Sequence, residues 1–302
     1  MTAPSLKRVA VAGPNGTLGP AVIKHLSNNN LEITLLTRDP KKASETHPPP
    51  TKVVQADYDS VEQLTSVLRQ GTFDSLVILI NRDQLGPQLR LIDAAIAART
   101  PHIIPSSFGI DHSHPKVREA PFLKEKIAME DYLFQKADQG QITYTSINGG
   151  WFFDWALSAG ILINSERPNP IYDGGDVVWS TSTTDLLGQA VAQAVLKRDE
   201  LSNRVLFVQS AAVNQNQLFR YAKELAPHKE FKTIPVDTAA LEKQSWERWN
   251  SGDRSLETMR GFLPRISLGL GLGLFKNPDN ELLGLKQMRE DEIKALIAQY
   301  VQ

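Results

Sequence analysis

Short apolar runs alternate with longer helix-like segments through the first half of the chain. The apolar runs are continuous, which is typical of parallel strands that are buried on both faces. The predicted strands are Arg8–Ala12, Glu32–Thr37, Lys52–Gln55, Ser75–Ile80, His102–Pro105 and Ile142–Ile147. The predicted helices between them are Leu18–Asn28, Val61–Arg69, Gly86–Ala98 and Leu123–Ala137. This alternation predicts an α/β fold with a doubly wound parallel sheet of the Rossmann type.

After Gly149 the rhythm changes, and the sequence becomes rich in aromatic residues. We expect residues 1–150 to form a dinucleotide-binding domain. Residues 151–302 are expected to form a smaller α/β lobe that binds substrate, with segments that can return to the main sheet. The glycine alternation in SLGLGLGLF predicts a loop, and Glu290–Gln299 is predicted to be the last helix.

The composition excludes several classes of protein. Lys and Arg total 33 against 34 Asp and Glu, a net charge of −1, so the surface offers no electrostatic attraction to nucleic acid or to an anionic membrane. There is no cysteine, which excludes disulfides, thiolate metal sites and cysteine nucleophiles. The first residues contain no apolar segment of signal length, and no stretch approaches the length of a membrane span, so we expect a cytoplasmic protein.

Three glycines lie at the turn that follows the first predicted strand. They occur at intervals of three in the segment AGPNGTLGPAV. In a dinucleotide loop the first glycine permits a tight turn, the second lets the backbone approach the pyrophosphate, and the third lets the helix pack close to the strand. A plain tight turn is the alternative. The residues predicted to bind a dinucleotide here are Gly13, Asn15, Gly16, Thr17, Leu18 and Gly19.

The end of the second predicted strand indicates which dinucleotide binds. NAD enzymes place an acidic residue there for the ribose 2′-hydroxyl, whereas LLTRDPKK presents Thr37 and Arg38. Arg38, with Lys42 behind it, can bind a 2′-phosphate, so NADPH is the predicted cofactor. The alternative is that these cations are merely solvated. Asp39 is predicted to cap a turn or a helix, and Asp57 is placed either to face the adenine or to cap a helix.

Several segments together resemble the NmrA-like branch of the atypical short-chain dehydrogenases. They are VAVAGPNGTLGPAVIKHL, LLTRDPKK, LRLIDAAIAARTPHIIPSSFGID, KIAMEDYL and ITYTSINGGWFFDW. Within that branch the chain is more closely similar to isoflavone reductases and phenylcoumaran benzylic ether reductases, over essentially its whole length. The resemblance implies NADPH-dependent reduction of aromatic or phenolic small molecules on a Rossmann domain.

The proton donor is predicted from helix position and from the resemblance. Tyr132 and Lys136 match the usual Tyr-x-x-x-Lys signature, but they lie too far along a helix that begins at the cofactor edge of the sheet. The resemblance implies that Lys126, in the motif K-x-x-x-E-x-x-L, takes this role beside the cofactor. Phe122 then stands where other short-chain enzymes have tyrosine. The alternative is a surface lysine that pairs with Glu130 four residues on.

Two serines end the fifth predicted strand, in PSSFGID. The resemblance implies Ser followed by Glu here, so Ser107 is a departure. Ser107 either hydrogen-bonds substrate or nicotinamide, which makes it a catalytic candidate, or it caps the next turn. Gly149 is expected to let the nicotinamide ring lie flat. The further predicted cofactor contacts are Asn81, Ser106, Asn148 and Gly149 at the strand ends, together with Lys126.

Aromatic side chains are candidates for the substrate site, because they stack on aromatic ligands. The predicted set is Phe108, Phe122, Trp151, Phe152, Trp155 and Trp179. The alternative is that these residues form the core between the two lobes. His112 and His114 lie two apart in a loop without companion ligands, so no metal site is predicted. His112 could instead be a substrate-facing acid.

Three functions remain open at this point. The first is an NADPH-dependent reductase of an aromatic or polyketide-like secondary metabolite, working as a monomer or homodimer. The second is a non-catalytic regulator that senses NAD(P), and the third is an isomerase or dehydratase that retains the cofactor passively. Lys126 and the expected aromatic cleft favour the reductase.

Overall fold

The computed structural model of the chain describes residues 7–47, 51–81 and 84–301. The strands in these ranges are β1 (Arg8–Ala12), β2 (Glu32–Thr37), β3 (Lys52–Gln55), β4 (Ser75–Ile78), β5 (His102–Ile104), β6 (Thr143–Asn148), β7 (Trp151–Phe152), β8 (Asn169–Tyr172), β9 (Trp179–Ser182), β10 (Arg204–Phe207), β11 (Ala211–Val213) and β12 (Thr233–Val236). The α-helices are α1 (Gly19–Asn28), α2 (Pro40–Thr46), α3 (Val61–Gly71), α4 (Leu85–Ala98), α5 (Pro115–Arg118), α6 (Lys124–Asp138), α7 (Phe153–Ser158), α8 (Thr184–Leu196), α9 (Gln215–Leu225), α10 (Thr238–Asn250), α11 (Leu256–Arg260), α12 (Phe262–Pro264) and α13 (Glu290–Val301). Short 3₁₀ turns occur at Pro121–Leu123 and Glu281–Leu283, and a π-helical turn at Arg265–Gly269.

Seven parallel strands form the main sheet, in the order β10-β6-β5-β4-β1-β2-β3. The chain first builds outward from β1 to β3 and then returns to build β4, β5 and β6 on the other side of β1. In such a sheet the ligand crevice lies at the carboxyl ends of the strands beside this reversal. The predicted Rossmann fold is confirmed, and all six predicted strands are present, three with the predicted bounds and three with ends moved by one or two residues. Helix α2 was not predicted.

Helices cover both faces of the main sheet. Helices α1 and α8 pack on one face, and α3, α4 and α6 pack on the other. Helices α1 and α8 approach closely, because a Cβ at Gly188 would lie 2.6 Å from the carbonyl oxygen of Ala21. Both α8 and β10 come from the second half of the chain, so that half contributes to the main sheet as well as to the smaller lobe. The boundary at residue 150 stays a prediction.

The smaller lobe contains a three-stranded sheet of β7, β9 and β11 and a parallel pair of β8 and β12. Its core includes the fully buried side chains of Phe153, Trp179 and Tyr221.

The loop predicted for SLGLGLGLF is wrong at its start. There the chain forms the π-helical turn, in which the Leu270 N–H donates to the carbonyl oxygen of Arg265. No helix in the described ranges is long and apolar enough to cross a membrane.

Candidate active site

The glycine loop joins the end of β1 to the start of α1. Gly13 adopts a left-handed φ of 81°, and a Cβ there would lie 2.9 Å from the carbonyl group of Leu79. A Cβ on Gly19 would overlap the carbonyl oxygen of Pro14. Gly16 is different, because a Cβ would make only ordinary contacts at 3.7 Å. The fold itself therefore requires Gly13 and Gly19, whereas the exposed Gly16 leaves space for a ligand, which fits the pyrophosphate role.

Tyr58 fixes this loop to the sheet. Its hydroxyl accepts a hydrogen bond from the Gly13 N–H at 2.9 Å and donates to the carbonyl oxygen of Leu36 at 2.5 Å. Burial raises the pKa of Tyr58 to about 12, so the phenol keeps its proton. Tyr58 was not predicted to contribute to the site. The feature that could have indicated it is its position directly after the third predicted strand, in QADYDS.

The end of β2 presents a cation as predicted. Arg38 is exposed, and its guanidinium carbon lies 5.9 Å from the centre of the Tyr58 ring. Asp39 accepts from the Lys42 N–H and caps α2, which confirms the predicted cap and removes the one acidic side chain of this segment from competition with Arg38. Asp57 is exposed and accepts from the backbone N–H of Asp59 two residues on, so it forms a local turn.

The ends of β4, β5 and β6 form the other half of the crevice. Exposed Asn81 follows β4, and half-buried Ser106 follows β5 and donates to the carbonyl oxygen of Ile80 at 2.8 Å. Asn148 is 2% exposed at the end of β6, and its side-chain oxygen has no hydrogen-bond partner. A buried acceptor without a donor is costly, so this site suits a ligand that carries an N–H group, such as a carboxamide.

The packing of the protein requires glycine at both positions after Asn148, and the contact of Gly149 with nicotinamide stays a prediction. A Cβ on Gly149 would lie 2.5 Å from the Leu187 side chain, which faces the protein interior. Gly150 has a left-handed φ of 70°, and its N–H donates to the carbonyl oxygen of Gly109 at 2.9 Å. Close packing against α8 thus explains Gly149, and Gly150 ties the end of β6 to the loop after β5.

Lys126 lies in the first turn of α6, at the carboxyl edge of the sheet. Its side chain is half-buried, and its Nζ lies 3.5 Å from the position of a Cβ built on Gly109. Its charge acts on the buried carboxylate of Glu130, one turn further along the helix. The amine therefore faces the rim of the crevice.

Ser107, Glu130 and His112 form a buried network below this amine. Ser107 donates from Oγ to one oxygen of Glu130 at 2.5 Å and accepts from Ser146 at 2.9 Å, while His112 Nδ1 lies 2.9 Å from the other oxygen. Burial opposes ionisation of Glu130, but hydrogen bonds from His112 and Ser107 and the charges of His112 and Lys126 outweigh it. The pKa of Glu130 is therefore below its ordinary value. Ser107 is fully buried and its hydroxyl proton is donated to Glu130, and its catalytic role stays a prediction.

The Tyr-x-x-x-Lys pair lies elsewhere on α6, as the sequence analysis argued. Tyr132 donates to Asp93 of α4 at 2.5 Å, and burial, together with this carboxylate, raises the pKa of Tyr132 to about 12. Lys136 in the last turn lies 5.1 Å from the Tyr132 ring centre. The bond between Tyr132 and Asp93 holds α6 against α4.

The predicted aromatic residues divide into two groups. Phe122 stacks on Phe262 with ring centres 6.2 Å apart, and Trp246 meets Phe262 edge-on at 5.0 Å. Phe262 and Trp246 were not predicted, because nothing in GFLP or QSWERW connects these distant segments to Phe122.

Phe108 is 5% exposed and has a left-handed φ of 43°, a strained conformation of the kind that clusters at functional sites.

Three of the other predicted aromatic residues, Trp151, Phe152 and Trp155, come shortly after β6, and Trp179 begins β9. Trp151 and Phe152 are half-buried, and the Trp151 ring nitrogen donates to Ser267 of the π-helical turn at 3.1 Å. Trp179 is fully buried at 6.0 Å from the Trp151 ring, which favours its alternative interpretation as a core residue. Trp155 is 47% exposed. The substrate contacts themselves stay predictions.

Comparison with known proteins gives one family. The chain matches the NmrA-like family over residues 5–240. The oxidoreductase aprR of Aspergillus flavus is 25% identical over 304 residues, covering 96% of this chain and 98% of that protein. Quinone oxidoreductase 2 of Escherichia coli is 33% identical over 195 residues, covering 60% of this chain and 64% of that protein.

Two solved structures share the fold. AtPrR2 with NADP⁺ and (+)-pinoresinol superposes with a TM-score of 0.79 at 16% identity, covering 99% of this chain and 100% of that one. The leucoanthocyanidin reductase of Vitis vinifera with NADPH gives 0.77 at 17% identity, covering 97% and 99%. Both neighbours hold the cofactor that the sequence analysis predicted.

Proposed function

This chain belongs to the NmrA-like family, and we propose that it is an NADPH-dependent reductase of an aromatic or polyketide-like small molecule that carries a ketone, enone or benzylic ether. The full-length curated relatives are named oxidoreductases, and solved neighbours bind NADP⁺ or NADPH. The residue types and their placement at one edge of the sheet agree with this chemistry.

The residues of the crevice fit the dinucleotide along its length. The open face of Gly16 and the first turn of α1 suit the pyrophosphate, because a helix start attracts anions. Arg38 beside Tyr58 suits the 2′-phosphate, and the unpaired oxygen of Asn148 suits the carboxamide. When bound, NADPH supplies the hydride.

Lys126 is the proposed proton donor. As the carbonyl carbon of the substrate is reduced, the π electron pair of the C=O bond moves to oxygen, and this oxygen takes a proton from the Lys126 ammonium. The apolar ring of Phe122 lies on the preceding turn and limits access of water. The observation that carries the proposal is the position of Nζ at the rim, 3.5 Å from the Cβ position of Gly109 and above the buried Glu130.

The test is the stoichiometry of NADPH oxidation and product formation with a panel of aromatic ketones, enones and quinones. We expect one NADPH to be consumed for each reduced product. Tight NADPH binding without turnover of any compound would support the regulator instead. Product formation without NADPH consumption would support the isomerase or dehydratase.

A further inference from the structure

His112 carries a ring nitrogen that the protein does not use. The side chain is 4% exposed, and Nδ1 bonds to Glu130, yet Nε2 has no hydrogen-bond partner. An unsatisfied buried polar atom is costly and rare in a folded protein. The surrounding network of Ser107 and Glu130 is otherwise complete, so the imidazole is held firmly while one of its two nitrogens stays available.

The unused nitrogen faces the same space as Lys126. A Cβ built on Gly109 would lie 3.9 Å from His112 Nε2 and 3.5 Å from Lys126 Nζ. Both groups therefore border the same face of the Gly109 Cα, which carries no side chain. A substrate group that reaches the proton donor therefore also lies close to Nε2.

The contact with Glu130 fixes the role of Nδ1. The Glu130 carboxylate accepts a hydrogen bond from the Nδ1–H at 2.9 Å. Nε2 is then an acceptor in the neutral ring and a donor in the protonated ring. A hydroxyl complements Nε2 in both forms, because it can donate or accept a hydrogen bond.

Resting on the function proposed above, we infer that His112 is a specificity residue whose Nε2 forms a hydrogen bond with a substrate hydroxyl beside the group being reduced. The preferred substrates are then aromatic ketones or quinones with a hydroxyl next to the reducible carbonyl. The carbonyl oxygen lies at Lys126 and the hydroxyl at His112. Glu130 and Ser107 act through His112 as positioning residues.

The test compares 5-hydroxy-1,4-naphthoquinone with 1,4-naphthoquinone under anaerobic conditions. The protein has no cysteine, so quinones cannot add to its thiols. The measured quantity is the ratio of kcat/KM values for the two quinones. Dividing the wild-type ratio by the ratio of a variant cancels the different intrinsic reactivity of the two compounds. We expect this quotient to be about 10 for a variant that loses the Nε2 contact, the effect of one good hydrogen bond.

Two substitutions separate the roles of the two ring nitrogens. In His112→Asn the amide can replace Nδ1 and keep the bond to Glu130, but nothing reaches the position of Nε2, so the ratio should fall about 10-fold below that of wild type. In His112→Gln the amide reaches toward Nε2, and part of the preference should return. His114→Asn is the matched control, because His114 is exposed and only caps α5, a role that Asn also performs. Its ratio should equal that of wild type.

Binding of the same two quinones to the protein–NADP⁺ complex distinguishes the two possible failures. If neither quinone is reduced, the proposed function fails for this acceptor class. The inference about His112 then stands if His112→Asn weakens binding of the hydroxylated quinone alone. An equal ratio in wild type and in a folded His112→Asn protein overturns the inference, whether turnover or binding is measured.

Discussion

The parallel sheet has a buried histidine at each of its two edges. His102 begins β5 at the amino edge, and its two ring nitrogens lie 3.1 Å from Ser75 Oγ and 3.0 Å from Thr145 Oγ1. His112 follows β5 at the carboxyl edge and has a partner on one nitrogen only. Both side chains are buried, so burial does not distinguish them. They differ in the number of ring nitrogens that have a partner.

This contrast extends to the whole of both edges. At the amino edge the polar groups satisfy one another, as Thr145 also donates to the carbonyl oxygen of Leu201 at 2.9 Å. At the carboxyl edge Asn148 and His112 each keep an unused atom, and Gly16 leaves an open face. We therefore expect substitutions at the carboxyl edge to change binding and turnover, and substitutions at the amino edge to change stability.

At the carboxyl edge, Arg38→Ala should weaken the binding of NADPH far more than the binding of NADH. Loss of a charged hydrogen bond to the 2′-phosphate should weaken NADPH binding by about 1.5–3 kcal/mol, roughly 10- to 150-fold. NADH lacks this phosphate, so its affinity should hardly change. Isothermal titration of both cofactors measures the difference. Equal losses for NADPH and NADH would remove Arg38 from the cofactor site.

His102→Gln should have the opposite profile. The amide cannot satisfy both Ser75 and Thr145, so the free energy of unfolding should fall by about 2 kcal/mol. NADPH affinity and kcat/KM should stay at wild-type values, because His102 lies at the far edge of the sheet. Urea denaturation and steady-state kinetics check the two parts. A loss of activity with unchanged stability would contradict the assignment of the amino edge to stability and the carboxyl edge to function.

The same histidine predicts a dependence of stability on pH. Burial, with the charges of Arg198 and Lys7, lowers the pKa of His102 from 6.5 to about 3. Below pH 6.5 the unfolded chain binds a proton that the folded protein excludes, so stability falls as pH falls, approaching about 1.4 kcal/mol per pH unit. His102→Gln should have a shallower slope between pH 6.5 and 5. The low pKa of Glu130 acts only at lower pH, so it does not confuse this window. Parallel curves for the two proteins would contradict the assignment.

Gly109→Ala should give the smallest of these effects. Its φ lies outside the left-handed region, and the added methyl would make only ordinary contacts, so the protein should fold normally. The methyl would occupy the space between Lys126 and His112, and one misplaced methyl group typically costs about 10-fold in kcat/KM. NADPH affinity and the unfolding midpoint serve as controls. Unchanged kcat/KM would show that substrate does not use this space.

The parts of the site that depend on the backbone were predictable from sequence. Glycine spacing and strand order locate the cofactor crevice. Gly13 and Gly19 are recognisable in the sequence because only glycine fits the local backbone at these positions. The cap at Asp39 is equally local. The NmrA-like resemblance of the sequence and the Rossmann fold are both confirmed.

The side-chain networks were not predictable in the same way. Ser107 and Glu130 are 23 residues apart, and the sheet topology decides that they meet. The approach of Phe262 to Phe122 joins segments from the two halves of the chain. His112 was considered as a metal ligand, which was rejected, and as an acid in a loop, since no periodicity or motif shows that Glu130 holds its ring. Long-range packing creates these contacts, and one sequence carries no direct sign of them.

The central claim is that Lys126 delivers the proton to the reduced substrate. Stopped-flow measurement of NADPH absorbance, after mixing the protein–NADPH complex with saturating substrate, gives the rate of the reductive step. We expect Lys126→Met to slow this step by about 10²- to 10⁴-fold while NADPH affinity is retained. Lys136→Met, at the far end of the same helix, should match wild type. A Lys126→Met protein that binds NADPH and reduces substrate at the wild-type rate would contradict the account.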